Sequence, residues 1–192
     1  MPGSVLPIAN EREGLINYLA HQRYVLRLTA HGLTDEQARA TPTKSTLSVG
    51  GLIKHVAHTE NGWVDTILRQ PAAMDPEQYM ENFHLGADEK LTDVFAFYDE
   101  VAARTESVVA GFADLGAEVP IPKGVPWFPS EGSWSVRWVL LHLIQETARH
   151  AGHADLIREH VDGATAYPLM AAAEGWPESP WLKPWRPATE PA

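Results

Sequence analysis

The chain has 192 residues, 44% of them hydrophobic and 21% charged, enough for one domain to bury a substantial core. Its 25 acidic residues against 15 basic ones give a formal charge of −10, which disfavours nucleic acid as a partner, and the absence of cysteine removes disulfides, thiolate metal cages and a Cys nucleophile. No basic segment followed by an apolar stretch opens the chain, and no apolar run approaches membrane length, so the expectation is a cytoplasmic protein without signal peptide or membrane span.

Over residues 8–31, Leu15, Ile16, Leu19, Val25, Leu26 and Leu28 recur at helical spacing and Gly32 stands as a stop, which predicts a long first helix. Thr34 to Gln37 has the form of a capping box opening a short helix that ends before Pro42. Ser48 can cap a second long helix running to residue 69, with Pro71 and Pro76 enforcing a loop beyond it. A third helix is expected over residues 88–115, ended by Gly116, with Leu91, Val94, Tyr98, Val101 and Val108 on its buried stripe. Residues 117–133 hold Pro120, Pro122, Pro126 and Pro129 and read as an irregular, functional loop. Ser135 then caps a fourth long helix over residues 136–161, ended by Asp162 and Gly163. The tail from Ala164 places Trp176, Trp181 and Trp185 among many prolines; aromatics are costly to leave in water, so the tail should pack across the domain.

Four long amphipathic helices with almost no alternating pattern argue for an all-α protein, an antiparallel four-helix bundle with a long crossover between the second and third long helices. The expected organisation is a bundle over residues 1–163 and a Pro/Trp-rich C-terminal extension over residues 164–192 packed on it. Bundles of this kind build metal sites from side chains that project inward from facing helices.

Nine histidines in a Cys-free chain direct attention to metal ligation. On the fourth helix, at about 100° per residue, His150 lies nearest the apolar stripe and Glu146 next. The two stand four residues apart on one face, where a carboxylate oxygen and an imidazole nitrogen can share one ion. The second helix offers His55, His58 and Glu60. His58 points away from the stripe, and the wheel leaves the choice between His55 and Glu60 open, Glu60 being the closer. His142 and His153 suit supporting roles, while His21, His31, His84 and His160 read as surface residues. Trp63, Trp134 and Trp138 read as core.

Leu52-Ile53-Lys54-His55-Val56-Ala57-His58-Thr59-Glu60 with Trp63, and Glu146-Thr147-Ala148-Arg149-His150-Ala151-Gly152-His153-Ala154-Asp155, resemble the two signature helices of the DinB/YfiT-like superfamily, more narrowly its DUF664 branch. The resemblance implies a four-helix bundle holding a divalent metal, zinc or nickel, with His55 from the second long helix and Glu146 and His150 from the fourth. Glu146 stands where the common pattern has His. A His, Glu, His set is similar to the mycothiol-dependent maleylpyruvate isomerase branch, and the carboxylate suits a slightly harder ion.

The function that follows is a metal-dependent thiol S-transferase or isomerase acting on a small molecule. A low-molecular-weight thiol would take an open position on the metal and lose its proton there. Arg149 or Lys54 would hold acidic groups of the substrates, and the loop around Trp127 and Phe128 would cover the site. A homodimer is among the expectations. The alternative is a non-catalytic metal-binding or structural bundle.

Overall fold

The structure is a computed structural model and describes residues 3–70 and 76–187. Pro71 and the residues before Gly3 or after Pro187, Pro191 among them, lie outside the described residues.

Four long helices form the bundle: α1 (Glu11–Leu28), α3 (Val49–Ile67), α5 (Leu91–Ala110) and α6 (Val136–Asp162). Shorter helices, α2 (Asp35–Arg39), α4 (Pro76–Glu81) and α7 (Ala166–Ala173), lie between and after them. Side-chain oxygens set the starts. Asn10 accepts from the Glu13 amide, Ser48 from the Gly51 amide and Ser135 from the Trp138 amide, each at 3.0–3.1 Å, and each satisfies a helix-end donor that would otherwise lack a partner. Thr34 and Gln37 close the expected capping box of α2. Gly163 ends α6 with φ of 76°, a backbone conformation that glycine adopts without steric cost.

Two of the long helices are shorter at both ends than expected. Helix α1 starts at Glu11 because Asn10 caps it, and it stops at Leu28, where the Thr29 hydroxyl donates to the Leu26 carbonyl at 2.7 Å. Helix α5 spans Leu91–Ala110 and not residues 88–115. Its first amide is capped from a distance by Asp35, whose carboxylate accepts from the Leu91 amide at 2.9 Å, and the chain leaves the helix at Gly111, before the expected Gly116.

Side-chain contacts between the helices reveal their directions. Arg137 near the start of α6 binds Glu11 at the start of α1, and Arg158 near its end donates to the carbonyls of Thr29 and His31 just beyond α1, so these two helices run parallel. Arg12 reaches the carbonyls of Val109 and Phe112 at the far end of α5, which therefore opposes α1. Val49 clusters with Leu91 and Ala154, whereas Ile67 clusters with Val109 and Val139, so α3 runs parallel to α5 and antiparallel to α6. The parallel α3–α5 pair requires the long crossover, and α4 lies within it.

Two strands, β1 (Glu118–Pro120) and β2 (Ser133–Ser135), pair antiparallel and clamp the ends of the proline-rich loop expected to be irregular throughout. Their register puts Val119 opposite Trp134. Trp176 and Trp185 of the tail pack with Leu28, Leu169 and Met170, as the cost of exposing aromatics demands. Trp181 does not follow them: its side chain is 79% exposed. Part of the tail is also helical, as α7.

Candidate metal centre

Helix α3 is covered on two sides, by α5 and α6, so its buried arc is wide enough to take in both His55 and Glu60. They serve different neighbours. Glu60 turns toward α1 and α5, where it receives two hydrogen bonds from the Arg23 guanidinium, at 2.6 and 3.0 Å, and one from the Thr105 hydroxyl at 2.5 Å. Completely buried and fully partnered, it is a core ion pair. His55 turns the other way, toward α6.

There His55, Glu146 and His150 converge: one candidate ligand atom from each lies within 4.8 Å of the others. Oε1 of Glu146 stands 3.1 Å from Nε2 of His150 and 3.4 Å from Nε2 of His55. The hydrogen bond from His150 first, then that from His55, holds the Glu146 carboxyl well below the usual carboxylate range, so it is an anion at neutral pH. Burial pushes the His55 imidazole below the ordinary value of 6.5, a shift that the bond to Glu146 only partly offsets. Two imidazole nitrogens and an ionised carboxylate oxygen form a donor set suited to a borderline divalent cation. Among the described residues, Nδ1 of His55 and Nδ1 of His150 have no hydrogen-bond partner.

The crossover closes the outer side of this group, a contribution that periodicity alone did not reveal. The Phe83 ring stacks on His55 with centroids 3.7 Å apart and planes 17° from parallel, and Tyr79 meets the same imidazole edge-on at 5.6 Å. Gly51 permits this approach: a Cβ there would stand 2.0 Å from the Phe83 carbonyl oxygen. The visible signals were the Gly50–Gly51 pair inside a helix and Pro76, which opens α4 at a position where proline costs no hydrogen bond.

Glu146 also lines a cleft of about 540 Å³ bounded by α3, α4, α6 and the proline-rich loop. Trp127 and Phe128 line it, as expected of that loop, and Trp63 serves both the core and the cleft wall. Tyr79 lines it too; burial, then the charge of Glu146, raises its phenol above the usual range, so it remains a donor. Lys54 and Arg149 do not line it. Lys54 is held by Glu89 at 2.8 Å and by the His84 carbonyl, and Arg149 faces solvent on the outer side of α6. Lys123, on the loop, is the lysine that faces the cleft.

Of the remaining histidines, His58 packs on Phe97 at 4.7 Å, outside the three-residue group. His142 stacks on Trp138 one turn before Glu146, and His153 lies edge-on to His150 at 5.6 Å. His84 and His160 are exposed as expected, but His21 and His31 are half-buried, His31 against Trp185.

A family model described as mycothiol-S-transferase matches residues 14–163. No curated protein matches the chain significantly. Among solved structures, one titled as the conserved protein of locus from Enterococcus faecalis is similar, with a TM-score of 0.63 and 15% identity over 82% of this chain and 100% of that one. That likeness supports the four-helix fold. Among the described residues, no helix is long and apolar enough to cross a membrane.

Proposed function

The chain belongs to the mycothiol-S-transferase family, a DinB-like family, and on that premise we propose that it is a metal-dependent S-transferase joining a low-molecular-weight thiol of the mycothiol type to a small-molecule acceptor. The observation that carries this reading is the convergence of His55, Glu146 and His150 at the edge of the cleft, where Glu146 belongs to both. The three residues would hold a divalent ion, zinc or nickel, contributing two neutral nitrogens and one negative oxygen. When bound, such an ion supplies the Lewis acidity that lowers the pKa of a thiol brought beside it.

The rest falls to the protein. His55, kept neutral by burial, does not spend a lone pair on a proton at physiological pH. Phe83 covers the His55 ring and keeps water off that side, which strengthens every charge interaction within. The Tyr79 phenol, still protonated, is available to donate a hydrogen bond to a group bound in the cleft. The cleft volume falls within the range of small-molecule sites. The unit we assign to this activity is residues 1–163, with residues 164–192 as an extension. The absence of cysteine suits a reaction whose thiol arrives as a co-substrate, and a reducing cytoplasm would keep that thiol reduced.

The test is a thiol-transfer assay on purified, metal-supplemented protein with mycothiol and a panel of electrophiles. Turnover that disappears in Glu146→Ala supports the assignment. Rates equal to the uncatalysed reaction across the panel, in protein that does hold metal, would leave the non-catalytic metal-binding reading in its place.

A further inference from the structure

The two sides of the cleft differ in chemistry. One side, from α3, α4 and the turn after it, presents Asn61, Asp65, Thr66, Gln78 and Asn82, all able to bond hydroxyls and amides. The other is aromatic. Its floor is Trp63, whose indole is gripped by Trp134, Trp138, His142 and Phe128 with ring centroids 5.0–6.0 Å away. Behind it, Trp134 and Trp138 stack face to face at 4.1 Å and 2°, and Trp138 stacks on His142 at 5.1 Å and 10°. A ring held by so many others has little freedom left to lose when a ligand settles on it.

At the mouth stands Trp127. It is 73% exposed although it lines the cleft, and its ring meets that of Phe128 in a T-shaped contact at 6.2 Å and 76°. With most of its surface in water, this indole has room for a ring to stack on it. A large apolar ring left in water beside a rigid aromatic floor gains most from a flat guest that covers both.

We propose that the acceptor substrate of this site is a planar aromatic or conjugated molecule, bound against Trp63 and Phe128 and covered by Trp127, with the polar side left for the thiol co-substrate. The proposal rests on reading the cleft as the route by which small molecules reach the His55–Glu146–His150 group. It differs from a general apolar preference in one respect: it requires flatness, because the two aromatic surfaces offer faces and edges and not a rounded pocket.

The experiment is titration calorimetry of the full chain in excess chelator and without thiol, using 1-naphthol and its fully saturated counterpart decahydro-1-naphthol. The expected result is that 1-naphthol binds at least tenfold more tightly than the saturated probe. Trp127→Ala should weaken 1-naphthol at least fivefold and Trp127→Phe should restore most of that loss, whereas Trp181→Ala, removing an exposed indole that does not line the cleft, should change nothing. Trp127 is too exposed for its removal to threaten the fold, and a circular-dichroism melt of the variant checks this. Equal binding of the two probes, no binding of either, or an unchanged affinity in Trp127→Ala would each overturn the proposal. Because neither metal nor thiol is present in the cell, these outcomes stand apart from metal content and turnover, which test the proposed function.

Discussion

Nε2 of His55 lies 3.4 Å from Oε1 of Glu146, although 91 residues separate the two in sequence. The crossover that lets α3 run antiparallel to α6 brings them together, and the four-residue spacing of Glu146 and His150 completes the group on one face of α6. Both histidines direct the same nitrogen at one carboxylate oxygen, so removing any member leaves the other two incompletely matched.

His58→Ala should leave metal binding intact. His58 packs on Phe97 of α5, away from the three converging ligand atoms. Metal content of the purified variant, measured by elemental analysis, should equal that of the parent. A loss would mean that the second long helix contributes the wrong histidine to this account.

Glu60→Ala should destabilise the protein by about 3–5 kcal/mol, because it leaves the Arg23 guanidinium buried with the exposed Glu106 as its remaining carboxylate. Urea denaturation followed by circular dichroism measures the loss. Metal content, compared at a urea-free temperature well below the midpoint, should not change. A variant as stable as the parent but unable to hold metal would reverse the roles assigned to Glu60 and His55.

Gly51→Ala sets two effects against each other. Alanine gains about 1 kcal/mol of helix propensity, but its Cβ would meet the Phe83 backbone oxygen at 2.0 Å, and backbone cannot yield as a flexible side chain can. The clash should win, for a net loss of about 1–3 kcal/mol. Displacing Phe83 also uncovers the His55 ring, so metal affinity should fall along with the thermal midpoint. Unchanged affinity would show that the crossover does not shape the site.

The metal-free protein should lose stability as pH falls below the ordinary histidine value of 6.5. Burial lowers the folded-state values of His55, His58 and His142, so in that range the unfolded chain takes up protons that the folded chain resists. Glu146 acts in the same direction at lower pH: its stabilising ionisation is intact above the usual carboxylate range and is lost only as pH falls toward its depressed value. Thermal melts in chelator between pH 7.5 and 5.5 should therefore show a falling midpoint, with a shallower slope in His55→Phe. A flat profile would contradict the neutral, buried imidazole.

The four long helices were legible from their apolar stripes, and two of them from start signals as well: Ser48 and Ser135 cap where expected, and Gly163 stops α6 within a residue of the expected end. His150 and Glu146 were legible for the same reason, since α6 has a well-defined inward face. The choice between His55 and Glu60 was not. They sit about 140° apart on α3, and both are buried because that helix has neighbours on two sides, a fact that resides in the packing and not in the period. The resemblance of the two signature segments selects His55, and in the structure Glu60 pairs with Arg23. Phe83 and Tyr79 lie in a crossover without a periodic pattern, so their place over His55 could be found only from the folded chain. Lys54 and Arg149, expected to hold acidic groups of the substrates, do not line the cleft.

The most direct test of the central claim is the metal content of the purified parent protein beside that of His150→Ala, both prepared with the same divalent supplement and measured by elemental analysis. The account predicts about one ion per chain in the parent and almost none in the variant, since one of three protein ligands is gone. Equal content in the two proteins, or none in the parent, would contradict it and return His55, Glu146 and His150 to ordinary packing roles in the bundle.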